Sequence, residues 1–382
     1  MVLFNNRQKI WLVKLFLVCF SPLWSWAGEA TKQTENSCHY DEVLKMDVWV
    51  SYTPDYAVRE FKDYIRKKYQ KNIDLHVNKV FSPDEFYDRV RAGISDIISP
   101  SHNFFKDEGT RLIDTGLLIP LDPSSIPNLE SLDRWFVEND FASNNGKIYG
   151  VPVAAGGYNL LYNKDHVKVP PKSWNILWDD AYRGRYSISK DYYEANIYIT
   201  AFALGYSKDQ MSDIKLINTP VFKAKLKKLL QNANYWHGRP TVADLEKSVL
   251  TTGWGLSHSV SGDKTKQWRL AFPKEGVGFW MDYLAITRNT KRSEFAQKLA
   301  MEWLNFSIGK RFQSRNIIRD RNYISPLKET SLPKDVLAMQ NSRELHYVLT
   351  HSVPWPLLTE RNRNGIKLVY DEVVKEIEQN QK

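Results

Sequence analysis

Apolar and polar residues alternate in two short segments near the start of the chain, 46–52 and 73–77. This two-residue period is typical of β-strands. A third strand is predicted at 96–98. In the first segment Met46, Val48 and Val50 are predicted to face the core. Asp47, Trp49 and Ser51 form the opposite, more polar face.

Between these predicted strands the apolar residues recur at helical spacing. Phe61 and Ile65 are four residues apart, and so are Phe86 and Val90. Strands that alternate with helices predict an α/β fold with mainly parallel strands. Two later helices are predicted at 295–303 and 366–377, where apolar side chains again share one face.

An acid beside two aromatic residues is the most informative feature of a later segment, 272–286. Phe279, Trp280 and Asp282 precede an apolar, strand-like run. A carboxylate next to an indole ring suits an ammonium ion, because the acid supplies charge and the ring face attracts cations. The alternative is an ordinary strand with one exposed acid and one core tryptophan.

The first residues have the composition of a secretory signal peptide. Three basic residues and no acids accompany an apolar run, Leu15–Trp24, which is too short to span a bilayer. Ser25 and Ala27 supply small residues at the cleavage positions, so we expect cleavage after Ala27. Residues 1–27 would then be removed, and the mature protein is expected to be periplasmic. Cys38 would then be the one remaining cysteine, which excludes an internal disulfide.

Composition narrows the function classes. The net charge of +9 is spread along the chain without a nucleic-acid motif, so we expect no nucleic-acid partner. No catalytic motif is present and the histidines lack metal-ligand spacing, so neither a metal nor a cofactor is expected. The 13 Trp and 20 Tyr are a rich supply for a cleft that binds cations or sugars.

Six short segments, in this order, resemble the periplasmic spermidine/putrescine-binding proteins of polyamine ABC transporters. The resemblance runs from about residue 46 to the end, and its segments are 96–101 (DIISPS), 116–128 (GLLIPLDPSSIPN), 149–152 (YGVP), 173–178 (SWNILW), 204–207 (LGYS) and 273–286 (PKEGVGFWMDYLAI).

This resemblance implies a two-lobed α/β fold of the periplasmic-binding-protein type II class. Crossover strands would join the lobes near 150–156 and 279–282, with the ligand cleft between them, and closure would be a hinge motion. Lobe one would comprise 46–152 plus 281–331, and lobe two 153–280 plus 332–382.

The resemblance also implies which side chains bind the ligand. A buried ammonium needs a carboxylate, and the methylenes of a polyamine need flat apolar walls. The expected ligand-binding residues are Tyr52, Thr53, Ser101, Asp191, Glu194, Trp254, Trp280, Asp282 and Tyr323. Asp191 and Glu194 are predicted to share one face at a helix start. Helix capping by the acids and Ser101, and core packing of the aromatics, are the alternatives.

Three positions depart from the family pattern. Ala155 stands where the family commonly has Trp, Asn103 where it often has an aromatic residue, and Lys190 adds a positive charge beside a predicted ammonium site. Such a pocket could accept a shorter diamine, an amino-acid-like cation or a solute that is not a polyamine.

The expected function is therefore that of a monomeric, periplasmic solute-binding component of an ABC importer. Its partners would be a polyamine-like cation and a membrane permease. The alternatives are a different small solute, a ligand-sensing lobe for a membrane partner, or a carbohydrate-active enzyme in which Asp191 and Asp282 flank a sugar bond.

Overall fold

A computed structural model describes residues 40–50, 52–255, 267–340 and 342–380 of the protein. Its strands are β1 Glu42–Trp49, β2 Ile73–Val80, β3 Ile97–Ile98, β4 Ser143–Asn144, β5 Lys147–Ile148, β6 Gly150–Asn163, β7 Tyr186–Ser189, β8 Ala233–Trp236, β9 Leu250–Trp254, β10 Trp268–Leu270, β11 Val277–Ile286 and β12 Ser352–Pro354.

The α-helices alternate with these strands through much of the chain. They are α1 Asp55–Tyr69, α2 Pro83–Arg91, α3 Arg134–Val137, α4 Tyr193–Ala203, α5 Ile214–Ile217, α6 Pro220–Gln231, α7 Val242–Glu246, α8 Glu294–Ser307, α9 Lys310–Phe312, α10 Lys334–Gln340, α11 Arg343–His351 and α12 Glu360–Gln379. A π-helical segment, Gln313–Asp320, continues α9.

The first helix shows how local sequence sets these elements. α1 follows Pro54, which cannot donate a backbone hydrogen bond, and it ends at Gln70 in the left-handed conformation, with φ 55°. Phe61 and Ile65 lie on its buried face, as their spacing predicts, and Ala57 lies there as well. The predicted helices around Phe86, in α2, and in α8 and α12 are confirmed as well.

One mixed sheet contains most of the strands. Its order is β2-β1-β3-β11-β6-β9-β7-β8, with β10 beside β6 and β12 beside β11, while β4 and β5 form a separate pair. The strands β1, β2 and β3 are parallel, and so are β7, β8 and β9. These two sets are called here the first and the second strand group.

Two long antiparallel strands, β6 and β11, join the two groups. β11 pairs with β3 of the first group, and β6 pairs with β9 of the second. Both strands are buried along their whole length. Parallel groups linked by crossover strands confirm the predicted two-lobed α/β fold, in which each group is the sheet of one lobe.

Two details of the first strand differ from the prediction. The strand spans Glu42–Trp49 rather than 46–52, so Tyr52 lies in the loop after it. Asp47 is only 1% exposed and not on a polar face. It is buried because it accepts hydrogen bonds from Asn78 Nδ2 at 2.9 Å and from the side chains of Ser95 and Arg89.

The predicted signal peptide, 1–27, and Cys38 lie outside the described residues. Among the helices that the structure describes, none is both long enough and apolar enough to cross a membrane.

Candidate functional site

A cavity lies where loops of both strand groups meet the crossover strands. It encloses about 640 Å³ of empty space, part of which is open to solvent. Seven of the nine predicted ligand-binding residues line it: Tyr52, Ser101, Asp191, Trp254, Trp280, Asp282 and Tyr323. The structure therefore brings together side chains that are far apart in sequence.

Asp282 is the buried acid of this cavity. It lies in β11, next to the position where the register between β11 and β6 shifts. Such an irregularity changes the local direction of the strand. The Asp282 carboxylate accepts a hydrogen bond from Tyr52 Oη at 2.7 Å and another from Ser101 Oγ at 2.5 Å. An isolated β-bridge between Ser101 and Asp282 holds their backbones together and so positions Ser101 Oγ next to the carboxylate. The alternative of an exposed strand acid is wrong, because Asp282 is 7% exposed.

The electrostatic environment of Asp282 is unusual for a carboxylate. Burial raises its pKa to about 7, although the hydrogen bonds from Ser101 and Tyr52 lower it. No cationic side chain among the described residues pairs with it. Burying a charge without a partner is costly, so a ligand cation would be stabilised here.

Aromatic rings form the walls beside this acid. The Trp280 ring meets Tyr323 edge-on at 5.0 Å and Trp254 edge-on at 6.4 Å between ring centroids. Gly156 in β6 makes room for the indole, since a Cβ there would lie 2.7 Å from Trp280 Cζ2. Trp355 and Tyr192 complete the walls, which suit alkyl chains and cations.

Asp191 is the second acid of the cavity and, like Asp282, it has a protein hydrogen-bond partner at each oxygen. It lies in the loop between β7 and α4. One carboxylate oxygen is 2.8 Å from His237 Nδ1, and the other accepts the backbone N–H of Gly238 at 2.7 Å. Asp191 thus fixes the loop that follows β8.

Glu194 does not line this cavity, which differs from the prediction. It lies in α4 whereas Asp191 precedes the helix, so the two acids do not share a helix face. Glu194 Oε1 is 3.0 Å from an Arg363 guanidinium nitrogen. Arg363 also donates to both carboxylate oxygens of Asp107, at 3.1 and 3.0 Å from Nε. Burial raises the pKa of Glu194 and the charge of Arg363 lowers it.

Thr53 is the other predicted residue that the cavity does not include. It is 4% exposed, and its hydroxyl has no hydrogen-bond partner within the described part of the chain. Its neighbour Tyr52 points to Asp282 instead.

None of the three departures from the family pattern lines the cavity. Lys190 is exposed, with its ammonium 5.0 Å from the Tyr235 ring centroid, so it adds no charge to the cavity wall. Ala155 is buried in β6 opposite Met281. Asn103 lines a much smaller cavity next to Glu194 and Arg363.

Arg239, Tyr192 and Trp355 also line the cavity, although they were not predicted from the sequence. Ligand sites in α/β sheets lie outside the carboxyl ends of the strands. Each of these residues follows a strand: Tyr192 follows β7, Arg239 follows β8 and Trp355 follows β12. None of these three strands was predicted from the sequence, so the signal could not be used.

Comparisons with known proteins agree with this geometry. The family model described as bacterial extracellular solute-binding protein matches residues 92–346, more than half of the chain. The fold and the cavity define a two-lobed binding protein. The chain belongs to the family of bacterial extracellular solute-binding proteins.

Two curated relatives carry more specific names. Spermidine/putrescine-binding periplasmic protein 1 of Haemophilus influenzae is 24% identical over 277 residues, which cover 71% of this chain and 72% of the relative. The spermidine/putrescine-binding periplasmic protein of Escherichia coli is 29% identical over 259 residues, 66% of this chain and 69% of the relative.

A solved structure shares the fold. It is a candidate spermidine/putrescine ABC transporter protein of Listeria monocytogenes, with a TM-score of 0.72 and 19% identity over 87% of this chain and 98% of that one.

Proposed function

We propose that the protein is the periplasmic solute-binding component of an ABC importer and that its cavity binds a linear amine of the putrescine and spermidine class. One observation carries the proposal: Asp282 is a buried carboxylate with donors from Tyr52 and Ser101 and no cationic partner among the described residues. The names of the curated relatives support the same ligand class.

The cavity has an acidic group that suits an ammonium of a linear amine and aromatic walls that suit its methylenes. An ammonium group would bind Asp282 and replace the missing counter-charge. The methylenes would lie against Trp280 and Trp254, whose rings meet edge-on. Cation–π contact with an indole adds roughly 0.5–2 kcal/mol. We propose that Asp282 and Asp191 contact or organise ligand and are not an acid/base pair, since protein donors occupy both oxygens of each carboxylate.

The lobe boundaries form part of the proposal. Lobe one is proposed to comprise 46–152 plus 281–331, and lobe two 153–280 plus 332–382. The crossover strands β6 and β11 support this division, because they connect the two strand groups. A monomer that closes on its ligand and then docks on a membrane permease is the proposed working form.

Calorimetric titration tests the ligand class. The panel contains putrescine, spermidine, agmatine, a sugar and a neutral amino acid, titrated into the mature protein. We expect heat with one or more of the amines. Asp282→Asn should weaken that binding by roughly 2–5 kcal/mol, the range for removing one partner of a buried charge pair.

Asp165→Asn is the matched control, because Asp165 is exposed and does not line the cavity. It should leave the affinity unchanged. Heat with the sugar alone, or equal amine affinities of the Asp282 variant and the wild type, would contradict the proposal.

A further inference from the structure

Arg239 gives the proposed ligand cavity a positive group as well as a negative one. It follows β8 in the second strand group and lines the same cavity as Asp282. No hydrogen bond or ion pair to its guanidinium occurs within the described residues. Burial, and then the charge of Arg321, lower the pKa of Arg239. The guanidinium is therefore partly desolvated and has no counter-anion there.

Three contacts hold the loop that carries Arg239 in place. Asp191 accepts the backbone N–H of Gly238 at 2.7 Å, and Trp254 Nε1 donates to the Gly238 carbonyl at 3.1 Å. His237 Nδ1 contacts the same aspartate at 2.8 Å. Pro240 follows directly and is buried. The position of Arg239 at the cavity thus comes from a fixed loop.

The two charges come from different parts of the sheet. Asp282 belongs to a crossover strand and is held by Tyr52 and Ser101, which follow strands of the first group. Arg239 follows β8, the last strand of the second group in the sheet order. A ligand that lies across the cavity would meet a carboxylate from one part and a guanidinium from the other.

A dication matches this charge pattern at one end only. Its first ammonium would pair with Asp282, but its second would share a partly desolvated cavity with Arg239, and like charges in such a site repel strongly. The other acid, Asp191, accepts the backbone N–H of Gly238, the residue next to Arg239, so an ammonium bound there would also lie near the guanidinium. A carboxylate at the second end of the ligand would instead form a charge-assisted, bidentate pair with the guanidinium.

We infer that the preferred ligand of this cavity is an ω-amino acid, a linear amine whose far end is a carboxylate. This inference rests on the proposed function, because it assumes that Asp282 binds the ammonium of a linear amine. Arg239 would be the specificity-determining residue that ranks such zwitterions above diamines of the same length.

Two length-matched ligand pairs test the inference by calorimetric titration. They are putrescine with 4-aminobutanoate and cadaverine with 5-aminopentanoate. In at least one pair the amino acid should bind wild-type protein about tenfold or more tightly than the diamine. Arg239→Gln should remove that preference by weakening the amino acid while sparing or tightening the diamine.

Two further variants separate the inference from the proposed function. Asp282→Asn should weaken both members of a pair, because both present an ammonium. Lys190→Gln removes an exposed charge near the cavity loops and should leave the preference unchanged.

The possible outcomes are distinguishable. Diamines that bind more tightly than the amino acids, with a ratio that Arg239→Gln leaves unchanged, would overturn the inference but leave the proposed function intact. No measurable binding in either pair overturns the inference. If spermidine and agmatine also fail, the proposed function fails with it.

Discussion

Two buried carboxylates, Asp282 and Glu194, differ in one respect that decides what each can do. Both are less than 10% exposed, and both are predicted ammonium ligands on sequence grounds. Glu194 is paired with Arg363, which also binds Asp107. Asp282 receives only neutral donors, Tyr52 and Ser101, in the part of the chain that the structure describes.

This difference indicates which of the two acids is available to a cationic ligand, because Arg363 already neutralises Glu194. Arg363 is 169 residues away from Glu194 in sequence, in the last helix. It connects Glu194 of α4 to Asp107, which follows β3 of the first strand group. The Glu194–Arg363–Asp107 cluster is thus structural, whereas Asp282 remains available for a guest cation.

Removing the internal cation should give the largest effect on stability. Arg363→Met leaves Glu194 and Asp107 buried without a counter-charge, so the free energy of unfolding should fall by about 3–5 kcal/mol. Chemical denaturation at neutral pH measures it. Lys367→Met is the control on the same helix, since its pair with Asp371 is exposed and worth only about 0.3–0.5 kcal/mol. If both variants lost a similar amount of unfolding free energy, the buried cluster would contribute no more than an exposed ion pair, which would contradict the prediction.

The second prediction concerns Asp282 and the pH dependence of stability without ligand. Burial raises the pKa of Asp282 from 3.8 to about 7, so the folded state keeps a proton that the unfolded chain releases. This group therefore destabilises the fold progressively as pH rises from about 4 to about 8, by at most about 4 kcal/mol.

Asp282→Asn abolishes that titration. The unfolding free energy of the variant, minus that of the wild type, should increase over the same pH range in denaturation experiments. A difference that stays constant with pH would show that Asp282 titrates normally in the folded protein.

A smaller effect is expected at the donor to Asp282. Tyr52→Phe removes the hydrogen bond of 2.7 Å to the carboxylate. The ionised form of Asp282 loses one donor, so amine affinity should fall by roughly 1–2 kcal/mol at neutral pH. Tyr56→Phe is a suitable control, because Tyr56 does not line the cavity. An affinity loss as large as that of Asp282→Asn would point to collapse of the site instead.

The smallest effect is expected at Thr53. Its hydroxyl is buried without a partner in the described residues, and it does not line the cavity. Thr53→Val should leave amine affinity unchanged and keep stability equal or slightly higher, because it removes an unsatisfied polar group. A loss of amine affinity in titration would indicate that Thr53 contacts the ligand after all.

Much of the fold was predictable because its signals are local. The alternation in 73–77 and the helical spacing of Phe61 and Ile65 report faces that pack against the sheet, and both elements occur. The limits of β1 were not predictable, since its register with β2 over Glu42–Trp49 depends on a partner strand. Asp47 escaped the pattern because its burial depends on Arg89, 42 residues away.

The site residues also divide into those that were predictable from the sequence and those that were not. Trp280 and Asp282 are neighbours in sequence, and a resemblance to known binding proteins was enough to find them. The fate of Glu194 depends on Arg363, and the charge of the cavity depends on Arg239. Neither lies in a segment that carries the resemblance, and sequence spacing does not indicate which acid a distant arginine reaches.

A crystal structure with the tightest-binding amine would test the contrast between the two acids most directly. The ligand ammonium should lie within hydrogen-bond distance of the Asp282 carboxylate, with Arg363 still paired to Glu194 and Asp107. An ammonium bound to Glu194, with Arg363 displaced and Asp282 without a contact, would contradict this prediction.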